Sequence, residues 1–134
     1  MSVGEILYKN GNNTISFGNY KIRDKQKLDI EVSGDVYKVK THNEVTRLEK
    51  NGNLLIEAVP GANFSNFSES ETLIGFSVEA AEDTQLTLDL TDDSDYEIFI
   101  DEKSIGKLKS SPSGKLNLGI NSTGNPRTIT IQKT

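Results

Sequence analysis

An all-β, antiparallel sandwich is the fold that this sequence of 134 residues predicts, and three observations predict it. Apolar residues alternate with polar ones at period two in one segment after another, as in strands with one wet face. Tight-turn pairs such as Asn51-Gly52 separate those segments. Asn-Gly tolerates positive φ at both central positions, which a type I′ hairpin demands. Finally, no segment keeps apolar residues at i, i+3, i+4 and i+7 over three turns, so no amphipathic helix is expected.

The elements follow in chain order. Lys27–Val32 reads K-L-D-I-E-V, with Leu28, Ile30 and Val32 on one face. Val36–Thr41 comes next, across the turn Ser33-Gly34. Glu44–Glu49 and Asn53–Glu57 flank Asn51-Gly52 and predict a hairpin, which Pro60-Gly61 closes off. The stretch Gly61–Thr72 has the weakest pattern and reads as a connector, with Phe64 and Phe67 docked onto a core. Gln85–Leu90, Lys115–Ile120 and Arg127–Ile131 alternate cleanly again. Asn10-Gly11, Ser113-Gly114 and Thr123-Gly124 mark further turns. The total is about a dozen strands at a spacing of about 8–12 residues, the rhythm of a sandwich or barrel.

Charge divides at the connector. Residues 1–67 hold nine bases and eight acids, whereas 68–134 hold six bases and twelve acids. From Glu69 to Glu102 there are twelve acids and no base. Two units are therefore expected: residues 1–67 as an N-terminal β-layer or small β-domain, and 68–134 as an acidic C-terminal sandwich. Halves of about 60 residues are marginal alone, so a shared core or self-association is expected.

Composition excludes several chemistries. The chain has no Cys, which removes disulfides, thiolate nucleophiles and Cys-ligated metals. A single His rules out His-pair metal sites. A net charge of −5 argues against nucleic acid, whose binding needs a basic surface. No apolar run is long enough for a signal h-region or a membrane span, so no membrane insertion is expected. A cytoplasmic location is the expectation, with signal-independent export left open.

Four groups could carry function. His42, in the turn Thr41-His42-Asn43-Glu44, is either an acid/base or ligand-binding group helped by Glu44 and Glu57, or a plain turn histidine. No Gly-x-Ser-x-Gly and no Cys completes a catalytic set around it. Tyr20, in Phe17-Gly18-Asn19-Tyr20-Lys21, is either a platform for a sugar ring or a half-buried core residue. Asp92, Asp93 and Asp95 offer the hard oxygens that Ca²⁺ takes, without the Gly and closing Glu of an EF-hand. The other reading of that turn is a solvated acidic cap on a sheet edge. Lys21, Arg23, Lys25 and Lys27 alternate, so on a strand they would share one face toward an acidic partner or water.

Two resemblances add to this. Asp95–Lys107 followed by Ser113–Leu118 resembles the late strands of fibronectin-type and bacterial immunoglobulin-like modules, with Glu102 where those modules carry the Gly of an Asp-Gly turn. That likeness implies a sandwich for residues 68–134, used as a spacer or cap without a catalytic site. The chain is also similar to a family of short all-β proteins from Gram-positive anaerobes, some labelled endosialidase. The likeness rests on Phe17-Gly18-Asn19-Tyr20, Asp35–Thr41, Arg47–Gly52 and Glu57–Gly61. Sialidases carry Trp-containing boxes and an arginine triad, whereas this chain has no Trp and only Arg23, Arg47 and Arg127, so its residues do not support that label.

The expectation is thus a non-enzymatic structural or protein-interaction module, self-associating into a homo-oligomer and needing no cofactor. The alternative is a carbohydrate-binding module that takes a glycan partner near Tyr20 and His42, assisted by Ca²⁺ at Asp92, Asp93 and Asp95.

Overall fold

The computed structural model describes residues 6–11 and 14–134. Among them it forms strands and no helix, so no helix is long and apolar enough to cross a membrane. The strands are β1 (Leu7–Lys9), β2 (Ile15–Phe17), β3 (Gln26–Val32), β4 (Asp35–Thr41), β5 (Thr46–Lys50), β6 (Asn53–Val59) and β7 (Asn63–Glu69). They continue as β8 (Leu73–Glu79), β9 (Thr84–Asp89), β10 (Asp95–Ile100), β11 (Lys103–Lys109), β12 (Lys115–Ile120) and β13 (Arg127–Lys133). The alternating segments of the sequence are all here, with ends shifted by a residue or two. Asn51 and Gly52 take φ of 52° and 86°, as the β5–β6 hairpin requires.

The strands build two antiparallel sheets packed as a sandwich. One has the order β1-β2-β7-β8-β13-β10-β11, the other β12-β9-β6-β5-β4-β3. Period-two alternation sends Val39, Leu48, Ile56, Leu86, Leu88 and Leu116 of the second sheet inward against Phe17, Phe76, Ile98 and Ile129 of the first. Their polar neighbours face water. The expected antiparallel sandwich is the observed architecture.

Three expectations change. Gly61–Thr72 is not a plain connector, because it contains β7, a central strand paired with β2 on one side and β8 on the other. Its alternation is hidden by a bulge between Ser65 and Ser68, where Asn66 adopts a φ of 55°. The extra residue lets Phe64 and Phe67, three apart, both point inward. Phe64 stacks on Phe17 at 4.7 Å between centroids, while Phe67 meets Phe17 edge-on at 5.6 Å.

The basic run is the second change. Only Lys27 lies on β3, and Lys21, Arg23 and Lys25 belong to the link before it, so the four do not share a strand face. The third concerns the division at 67/68. That boundary falls inside β7, and each sheet takes strands from both sides of it. Residues 1–67 and 68–134 are interleaved over one hydrophobic core instead of forming separate sheets.

Because successive strands run antiparallel, alternate links gather at opposite ends of the sandwich. The links after β2, β4, β6, β8, β10 and β12 share one end. Those after β3, β5, β7, β9 and β11 share the other, which holds the Asp92–Asp95 turn. At the sides, β1, β3, β11 and β12 each have a single paired neighbour. Every residue of β11 is exposed.

Candidate functional site

At the first of these ends, links crossing between the sheets bring backbone into the interior, where each N–H and C=O needs a partner. Two threonines supply them. Thr41 and Thr46, directly opposite in the β4–β5 ladder and fully buried, join their hydroxyls at 2.8 Å. The Thr46 hydroxyl donates to the Ala62 carbonyl at 2.9 Å and accepts from the Ala62 N–H at 3.1 Å. Thr41 Oγ1 accepts from the Asn19 N–H at 2.9 Å, which leaves its own proton for Thr46. One pair of hydroxyls thus fastens three links.

Further bonds hold the rest. The Asn43 N–H donates to the Ile22 carbonyl at 2.7 Å, and the Gly61 N–H to the Asn43 carbonyl at 3.1 Å. Gly61 has no room for a side chain, since a Cβ there would collide with the His42 carbonyl. Gly18, at a φ of +94°, sits as tightly against the Ala62 carbonyl. Thr84 Oγ1 donates to the Pro60 carbonyl at 2.6 Å, Asn63 Oδ1 accepts from the Tyr20 N–H at 3.0 Å, and Ser122 Oγ donates to the Ala80 carbonyl at 2.8 Å. Every link is tied.

Above this network lies an open groove of about 480 Å³, within the range of small-molecule sites of about 300–1,000 Å³. Tyr20, Val59, Pro60 and Ala81 make its apolar wall, with Val59 49 % exposed. Asn43, Glu44 and Glu82 supply polar groups from three exposed side chains. Among the described residues that line it, none is basic. The Tyr20 hydroxyl donates to Glu79 Oε1 at 3.4 Å. Burial first, then the charge and hydrogen bond of Glu79, push the phenol above its ordinary value. Lys21 Nζ stands 5.9 Å from the centre of the Tyr20 ring.

The sequence-predicted residues are scattered relative to this groove. Tyr20 lines it. His42 lies in the same link as Asn43 and Glu44, half-buried, with its backbone N–H donating to the Val45 carbonyl at 2.9 Å. Its proposed helper Glu57 is instead paired with Arg47 at 3.0 Å. Asp92, Asp93 and Asp95 are exposed at the opposite end. Among the described residues no three acidic or His side chains converge on a possible metal position. Sequence reasoning passed over Thr41, Thr46, Val59 and Glu82. A signal for the threonines was present: both occupy inward positions of alternating strands, in step with Val39 and Leu48.

Comparison with protein-family models, with curated proteins and with solved structures returns no match.

Proposed function

We propose that the protein is a non-enzymatic interaction module whose groove beside Tyr20 is its recognition surface. The observation that carries this reading is the hydrogen-bonded floor of the groove. Fixed links lose little conformational freedom when a ligand docks, so their contact energy goes into affinity. A fragment screen followed by amide NMR tests it. Shifts clustering on Tyr20, Asn43, Glu44, Gly61 and Glu82 are expected, and hits confined to other surfaces overturn it.

Self-association is a second reading, favoured by the exposure of β11, where Ile105 is 54 % exposed. Sedimentation over a wide concentration range decides it: a monomer throughout overturns it. Lys103, Lys107 and Lys109 on that strand set like charges opposite one another across such a seam, so the association expected is weak and shows only at the upper end of that concentration range.

A further inference from the structure

We infer that the ligand of the groove is a neutral saccharide, bound without calcium; this rests on reading the groove as the recognition surface. Its two kinds of wall fit the two kinds of surface on a sugar ring. The Tyr20 ring, Val59 and Pro60 give the groove an apolar wall on which the C–H side of a pyranose can pack. Glu44, Glu82 and the Asn43 amide oxygen are acceptors for the hydroxyl donors at its rim, and the Asn43 amide nitrogen donates in return. Hydrogen bonds to a carboxylate are about twice as strong as neutral ones, which makes Glu44 and Glu82 the main anchors.

The same carboxylates decide against acidic sugars. A sialic or uronic acid would bring its own negative charge beside Glu44 and Glu82, and the one ammonium described beside the groove, Lys21 at 5.9 Å from the Tyr20 ring, does not outweigh the two carboxylates. Calcium-bridged binding needs a converging carboxylate set, and the acidic turn Asp92–Asp95 lies at the far end of the sandwich. The other cavities serve less well. The one beside Tyr37 has its charges already spent on each other, with Lys50 Nζ 2.9 Å from Glu69 and 3.8 Å from Asp35. The one beside Tyr96 holds only about 180 Å³.

The test is a glycan array run with calcium and again in EDTA, followed by NMR titration with lactose, cellobiose, maltose, chitobiose and sialyllactose. At least one neutral glycan is expected to bind and to shift the amides of Tyr20, Asn43, Gly61 and Glu82. Sialyllactose should bind at least about ten-fold more weakly than the best neutral disaccharide. Tyr20→Ala should weaken binding about ten-fold or more, whereas Tyr20→Phe keeps the ring and stays within about three-fold. The Tyr20 anchor to Asn63 is a backbone bond and survives both substitutions, and a thermal melt confirms the fold. Glu82→Gln should weaken binding about five-fold through loss of the charged acceptor. Sialylated glycans binding as tightly as neutral ones, or any binding that EDTA abolishes, overturns the inference. If fragments shift the groove residues but no neutral glycan does, the saccharide assignment falls and the recognition surface stands. If neither shifts them, both fall.

Discussion

Replacing Thr46 with Val keeps the shape of a fully buried side chain and removes the hydroxyl on which three links converge. The Ala62 N–H and C=O lose their hydroxyl partner, and the Thr41 hydroxyl proton loses its acceptor. A stranded buried polar group costs about 1–3 kcal/mol. The lower half of that range, applied to the two Ala62 groups, gives a destabilisation of about 3 kcal/mol. With an unfolding entropy of about 2.1 cal/mol/K per residue, a chain of this length should melt about 10 °C lower. Urea unfolding followed by far-ultraviolet circular dichroism and tyrosine fluorescence measures the change directly, the latter free of interference because Trp is absent. Thr46→Ser is the control: it keeps the hydroxyl, drops one methyl and should cost about 1 kcal/mol. A loss below about 1 kcal/mol for Thr46→Val refutes the reasoning. A Ser loss as large as the Val loss would show that the methyl packed beside Gly18 matters as much as the hydroxyl.

Other measurements follow from the same structure. The Tyr20 phenol should titrate above its ordinary 10.0 because burial, and then Glu79, disfavour the phenolate, and Glu79→Gln should bring it back toward that value in an ultraviolet titration. Its folded value exceeds the unfolded one, so its contribution to stability is whole below pH 10.0 and is lost as pH rises through the folded value. Millimolar calcium should leave the melting temperature unchanged, since Asp92, Asp93 and Asp95 do not converge; a rise would show a site that this geometry does not contain. Replacing Lys107 and Lys109 with Thr should increase association in sedimentation runs, because those lysines lie on an otherwise unpaired edge; an unchanged association state would show that the edge is guarded by something else, such as the bulge at Ile105. Gly61→Ala should destabilise the fold and shift the NMR signals of the 42–45 link, because its new methyl meets the His42 carbonyl; a variant as stable as the parent would show that this link yields.

Legibility in the sequence tracked how regular each strand is. β3, β9, β12 and β13 keep strict alternation because their ladders run without a shift, and their period was readable residue by residue. β7 was obscured by the same bulge that turns Phe64 and Phe67 to one side, since one extra residue breaks period two. The run Lys21–Lys27 fails for the opposite reason. Alternation of charge is visible there, but charges that face water in a link carry no information about sheet pairing. Tyr20 was found from its polar surroundings. The rest of the groove was not, because Asn43, Val59 and Glu82 come together only through the order in which links stack at one end.

That order also explains why a rigid groove arises in so small a chain. The links after β2, β6 and β8 each pass from one sheet to the other, and these three supply Tyr20, Pro60, Ala81 and Glu82, beside Val59 at the end of β6. A crossing link leaves the strand ladder, so those of its backbone groups that no other link reaches require side-chain partners once the sheets close over them. Thr41, Thr46 and Thr84 meet that requirement from inward positions that would otherwise hold aliphatic residues. The bonds that satisfy folding therefore also fix the spacing of the groove walls. Asn43 shares that load only through its backbone, and the side chains of Asn43, Glu44 and Glu82 stand outside it. Substitutions at those three should change what the groove holds while leaving stability nearly untouched, whereas substitutions at the threonines should lower both together.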